Sequence, residues 1–150
     1  MSESPLDPLN KRRLKSWIRL LRVTRQTESR LRERLRLEHG TTLPRFDVMA
    51  ALWRFRDGLT MSELSRALLV SNGNATAIVD RLEREGLVLR VPMETDRRIV
   101  QVTLTEDGKQ AFERMAADHE NEVGKLLGNL DAQDLDQLRT ILRKALSQDG

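Results

Sequence analysis

The apolar positions of the chain follow two kinds of spacing, and the switch between them marks its most informative segment. From Pro8 to about Glu38, Leu14, Trp17, Ile18, Leu21, Leu31 and Leu35 keep helical spacing. This predicts one long helix, preceded by a loose tail at Ser2 to Asp7 and ended by Gly40. Thr42 and Pro44 open a second helix carrying Phe46, Met49, Leu52 and Trp53, which stops at Asp57 and Gly58. A third helix of about two turns starts at Thr60, where Thr60 and Glu63 have capping-box spacing, and carries Leu64, Ala67 and Leu68. Val70 ends it, and Ser71 can cap a fourth helix over 72–85, with Ala75, Ile78, Val79 and Leu82 on one face and Gly86 as its stop.

The period then shortens to two. Leu87, Leu89 and Val91 alternate on one strand and Val100, Val102 and Leu104 on the next, predicting a hairpin of half-buried antiparallel strands with its turn at 92–97. Pro92 cannot donate to the ladder and fits a strand end. Helical spacing returns after Thr105, which caps a helix with Phe112, Met115, Ala116, Val123 and Leu127; Asp131 caps a last one with Leu135, Leu138, Ile141, Leu142 and Leu146. Neither the first nor the last helix has a local companion of matching length, so intertwining with a second copy is the economical way to bury both stripes. The expected fold class is mainly α with a small β wing: a winged helix-turn-helix over 42–104, flanked by dimerisation helices over 8–38 and 105–147.

Projected at about 100° per residue, the fourth helix places Gly73, Thr76, Ala77, Asp80, Arg81 and Arg84 opposite the core stripe, with Asn74 at the margin and Ser71 and Asn72 at its start. Small residues let a backbone come close to a groove. Asn reads adenine bidentately, Thr or Ala touches a thymine methyl, and Arg81 and Arg84 reach guanine or phosphate. Asp80 is repelled by DNA, so it calls for a partner, either Arg84 one turn on or an arginine of the wing. At the hairpin tip Asp96 and Arg98 can pair and, with Arg97, present a basic finger of the kind a narrow, electronegative minor groove favours. The plain alternatives are a solvated helix face and a hairpin charged only to resist edge pairing.

The run MSELSRALLVSNGNATAIVDRLEREGLV, followed by ETDRRIVQVTLTEDG, resembles the helix-turn-helix and wing of the MarR family of transcriptional regulators, with its Asp-x-Arg element at Asp96 and Arg98 and its Leu-Thr helix start at Leu104 and Thr105. The likeness covers nearly the whole chain. It implies a single 150-residue chain acting as a homodimer on double-stranded DNA, commonly as a repressor, and released by a small molecule bound between the DNA-binding lobe and the dimerisation helices.

Composition sharpens this picture. With 39% hydrophobic and 33% charged residues the chain reads as a soluble helical domain. A net charge of +3 accompanies a pI near 9.8, which suits a polyanionic partner. Zero cysteines exclude a disulfide framework, a thiol sensor and sulfur-ligated metal. No run approaches the ~18 apolar residues of a membrane helix and no signal-peptide core is present, so a cytoplasmic protein without membrane contact is expected. His119-Glu120 does not continue to a second histidine at zinc-protease spacing, and Gly108-Lys109 and Gly124-Lys125 lack the upstream glycine of a phosphate loop. No enzyme, cofactor or metal site is expected; His39 and His119 read as helix-terminal or interfacial residues.

The strings GTTLPRFDVMAALWR and SNGNATAIVDRLE are similar to the MarR subgroup that governs catabolism of aromatic acids. That resemblance implies an aromatic acid or its coenzyme A thioester as effector. Trp17, Leu21, Phe46, Met49, Phe112 and His119 are the expected contacts, and Arg19, Arg22 and Arg25 the forks for its anionic end.

Overall fold

A computed structural model describes residues 7–68 and 72–147. Its elements run α1 (Pro8–His39), α2 (Leu43–Arg54), β1 (Leu59–Thr60), α3 (Met61–Leu68), α4 (Asn72–Arg84), β2 (Val88–Pro92), β3 (Val100–Leu104), α5 (Glu106–Leu126) and α6 (Ala132–Leu146). Side-chain caps set most boundaries. Asp7 accepts the Leu9 N–H at 3.0 Å and so begins α1; the rest of the expected tail, Ser2 onward, lies outside the described residues. Thr42 caps α2 and Thr105 caps α5, while Asp131 and Asp134 cap α6 reciprocally at 2.8 and 3.0 Å. The expected cap at Ser71, and the helix end at Val70, also fall outside the described residues.

The three strands form one antiparallel sheet in the order β1-β3-β2. The spacing does not predict β1, because two residues are too few to display a period. Thr60 serves twice, pairing with Gln101 in the sheet while its Oγ1 accepts the Glu63 N–H at 3.2 Å to start α3. In the hairpin Val88 faces Leu104 and Arg90 faces Val102. Val88 and Val102 are fully buried, whereas Leu89 is 52% and Val91 44% exposed. The expected inward phase of β2 is therefore one residue out of step: Val88, not Leu89 and Val91, points to the core and Arg90 shares its face, while Leu87, just before the strand, packs partly buried against the core. Val102 and Leu104 are buried as expected, while Val100, at the open end, is exposed. The turn spans 93–99 rather than 92–97 and is closed by the Met93 N–H on the Ile99 carbonyl at 2.8 Å.

One core joins Leu35 of α1, Phe46, Val48, Met49 and Leu52 of α2, Leu64 of α3, Val79 and Leu82 of α4, Leu59, Val88, Val102 and Leu104 of the strands, and Phe112 and Met115 of α5. The C-terminal half of α1 is locked to α5 at Asp118. Arg34 donates to both its carboxylate oxygens, Nη2 at 2.7 Å and Nε at 3.0 Å, and His39 Nε2 lies 3.0 Å from Oδ2. The Arg34 hydrogen bonds, with help from His39, pull the Asp118 carboxyl down to about 2. The N-terminal half of α1 is bare, with Leu14, Trp17, Ile18 and Val23 all exposed, and α6 buries no residue.

The joint between α4, β2 and α5 is made by close backbone approach. Thr105 donates its hydroxyl to the Gly86 carbonyl at 2.7 Å and its N–H to the Leu87 carbonyl at 3.0 Å, then accepts from Gly108 N at 3.0 Å. A Cβ on Gly108 would overlap the Leu87 carbonyl oxygen. Gly108→Ala is accordingly expected to lower stability by about 1 to 3 kcal/mol or more, read as a lower midpoint in urea at unchanged slope; an unshifted midpoint would contradict the close approach.

Candidate nucleic-acid interface

Helix α4 is one-sided as its sequence predicts. Ala75, Val79 and Leu82 are fully buried, and Gly73, Asn74, Thr76, Ala77, Asp80, Arg81 and Arg84 are exposed. Of the expected set, Ser71 and the side chain of Asn72 lie outside what is described. The exposed face is narrow at its N-terminal end and basic at its C-terminal end.

The acidic residues of this helix are engaged sideways. Asp80 does not pair with the Arg84 side chain, whose Nε instead reaches the Asp80 carbonyl oxygen at 3.4 Å. The Asp80 carboxylate takes Arg90 of β2, from Nη2 at 2.6 Å, and Glu83 takes Nη1 of the same arginine at 2.8 Å and its backbone N–H at 3.3 Å. Of the two partners expected for Asp80, the wing arginine forms, and it is Arg90. Sequence reading missed Arg90; its signal was a charged residue two positions after a fully buried one in a strand. Glu85 at the helix end is shared by Arg81, at 2.9 Å, and by Arg45 of α2. Arg81 is thereby tethered, while Arg84 is exposed with only its Nε turned back to the helix backbone.

At the wing tip Asp96 accepts three hydrogen bonds from Arg98, from N, Nε and Nη2, each at 3.1 Å. These bonds, the side-chain ones first, hold the Asp96 carboxyl below the usual carboxylate range. The Arg98 side chain is nevertheless 92% exposed. A fork that is both fixed at its base and open to solvent is a preorganised cation, and Arg97 stands exposed beside it.

The expected effector residues separate into two groups. Phe46, Phe112 and His119 form one aromatic wall, with Phe46 centred 5.5 Å from Phe112 and 4.2 Å from His119, and Met49 buried in the same core. Burial pushes the His119 imidazole below its usual value. Trp17, Arg19, Leu21, Arg22 and Arg25 do not join them. Trp17 is 56% exposed and stands about 21 Å along the helix from Leu31, the first buried residue of α1. A single chain therefore does not assemble the expected site. The cavity at the meeting of α1, α2, α3 and α4, of about 210 Å³, is lined instead by Glu28, Arg32, Leu43, Asp47, Leu68 and Ile78 among others. Burial, and then Glu28, raise the Asp47 carboxyl, an acidic lining unsuited to an anion. Among the described residues no group of three or more His, Cys, Asp or Glu is placed to hold a metal, and no helix is long and apolar enough to cross a membrane.

Two packed helices set between the first and second strands of a three-stranded sheet, whose hairpin carries a basic tip, define a winged helix-turn-helix. The MarR family model matches residues 41–100, from the start of α2 to the first residue of β3. The transcriptional activatory protein BadR of Rhodopseudomonas palustris is 34% identical over 71% of this chain; the match spans 63% of that protein's length. Solved structures align over nearly the full chain. A MarR family regulator from Silicibacter pomeroyi, 30% identical, superposes with a TM-score of 0.82 over 96% of this chain and 99% of that one. A cysteine-to-serine mutant of MarR from E. coli, solved with operator DNA, is 29% identical with a TM-score of 0.76 over 93% and 99%. The chain belongs to the MarR family of transcriptional regulators.

Gly73 offers a probe that leaves the fold alone, since an added Cβ meets nothing within 4 Å. If the first turn of α4 lies against a groove floor, Gly73→Ala should keep or raise the melting temperature and lose about 1 to 3 kcal/mol of operator affinity by overlap. Anisotropy with labelled duplex reads this directly, and unchanged affinity would remove that turn from the groove.

Proposed function

We propose that this chain is a homodimeric, DNA-binding transcriptional regulator in which α4 reads the major groove and Arg98 enters the adjacent minor groove. The observation that carries the reading is the Arg90 clamp, which fixes α4 and the wing as one unit while turning both helix carboxylates away from incoming phosphates. Asn74, Thr76 and Ala77 supply base-edge chemistry, Arg81 and Arg84 sit one and two turns further along, and Arg97 and Arg98 supply the finger. The operator complex of the related E. coli MarR mutant supports the same use of the lobe here. The bare stripes of α1 and α6 support the dimer, because Trp17, Ile18, Ile141 and Leu146 are 47% to 73% exposed in one chain. Two such lobes address half-sites about 34 to 36 Å apart, so the operator is an imperfect palindrome.

The finer reading is repression, relieved by a small aromatic acid or its coenzyme A thioester. It rests on the subgroup resemblance and on the aromatic wall of Phe46, Phe112 and His119. Arg22 and Arg25, with Trp17 and Leu21, reach such a ligand only where a second copy folds over the bare half of α1. BadR, named an activatory protein, is the contrary precedent for sign.

Selection of duplexes by the purified protein should return two-fold symmetric sites bound by two chains. On such a site Arg98→Ala should lower the salt slope by about one unit, whereas Thr76→Ala should cost about 1 to 3 kcal/mol at particular bases only. An Arg98→Ala protein with an unaltered slope, or selected sites without symmetry, would contradict the proposal.

For the effector, hydroxycinnamates, benzoates and their thioesters are titrated against the operator complex. Release requires different affinities for the two dimer conformations, and operator must weaken the ligand by the same factor as the ligand weakens operator. Calorimetry with and without DNA tests that equality. No response to any of these compounds would remove the effector while leaving DNA binding in place.

A further inference from the structure

Helix α4 is gripped on both flanks, and the two grips have opposite sign. On the wing side one arginine, Arg90, serves two carboxylates; on the α2 side one carboxylate, Glu85, serves two arginines. The oxygens of Glu85 are divided: Oε2 takes Nη2 of Arg45, and Oε1 takes Nε of Arg81 at 2.9 Å. Neither arginine has another carboxylate partner among the described residues.

Glu85 is poorly placed to hold Arg81 unaided. It follows the last residue of α4, where the helix dipole disfavours a carboxylate, and an arginine four residues before a glutamate is the weaker order of an i, i+4 pair. Arg45 supplies what the helix withholds. Its side chain is only 14% exposed, its Nε is buried without a hydrogen-bond partner, and its backbone N–H is taken by the Thr42 cap at 3.3 Å. A guanidinium shut into the first turn of α2, with Glu85 as its one described acceptor, fixes the carboxylate it meets.

The consequence falls on Arg81. Ala77 and Asn74 precede it by four and seven residues, so the three stand in one row on the exposed face of α4. Held by Nε, a guanidinium keeps both terminal nitrogens for end-on pairing, and Nη1 with Nη2 is a fork that meets O6 and N7 of guanine. The Arg81 side chain is 61% exposed, and neither terminal nitrogen has a partner among the described residues. We infer that Arg45 and Glu85 are positioning residues that orient Arg81 to read one guanine in each half-site. The inference rests on the reading of α4 as the helix that enters the major groove.

The test uses the full chain on its selected operator and on duplexes in which each guanine pair is replaced in turn, read by anisotropy. Arg81→Ala should erase a preference of about tenfold at one guanine position of each half-site. Glu85→Gln, which keeps the side-chain volume and leaves the Arg81 charge in place, should erase the same preference without lowering the salt slope. Arg45→Gln should do likewise and Arg45→Lys should restore part of it, whereas a pair that only stabilised the fold would lower the melting temperature and leave the preference intact. In the Arg81→Ala background Glu85→Gln should remove no further preference. Retained preference at that guanine in Glu85→Gln, or no guanine position sensitive to Arg81→Ala, would overturn the inference; Glu85→Gln decides the matter if Arg45→Gln does not fold. A wild-type protein that binds no duplex would instead remove the DNA-binding reading, and the inference with it.

Discussion

Arg90 is held by two carboxylates of the neighbouring helix, and the relation between α4 and the wing depends on that grip. Its side chain is 26% exposed, and Asp80 and Glu83 are 51% and 38% exposed. Pairs this close to solvent contribute about 0 to 1 kcal/mol to stability, so the clamp matters for direction rather than for folding. It fixes β2 against the third turn of α4 and neutralises Asp80, which would otherwise present a bare carboxylate beside the DNA-facing residues. The same economy recurs at the helix end, where Glu85 binds Arg45 and Arg81 and ties α4 to α2.

From that clamp the rest of the lobe is assembled by close backbone approach. The wing's second strand returns to Thr105, whose hydroxyl and N–H take the Gly86 and Leu87 carbonyls, and Gly108 leaves room for Leu87. Helix α5 thus leaves the lobe in a direction set by the end of α4. Asp118, further along α5, grips Arg34 and His39 of α1. A continuous path of contacts therefore runs from α4 through α5 to α1.

Much of this was legible in the sequence because it depends on local chemistry. Thr42, Thr60, Thr105 and Asp131 announce helix starts through their own side chains, and the exposed face of α4 follows from the spacing of Ala75, Val79 and Leu82. The errors lie where a neighbour decides. Leu87, Val88, Leu89 and Val91 are apolar in both phases, so only pairing with Val102 and Leu104 selects Val88 as the inward residue. β1 exists because β3 offers it an edge, and Arg90 acquires meaning only once Asp80 and Glu83 lie beside it. Of the expected effector set, the members on α1 lie beyond the part of that helix the lobe covers within one chain.

The central claim is that α4 and the wing act as one reading unit, duplicated by a two-fold axis. Methylation interference on a selected operator measures this most directly, because guanine N7 lies in the major groove and adenine N3 in the minor. The account predicts two clusters of guanine interference about one helical turn apart on one face of the duplex, each flanked by adenine interference where Arg98 enters. Guanine interference in a single cluster, or flanks without any minor-groove signal, would contradict it.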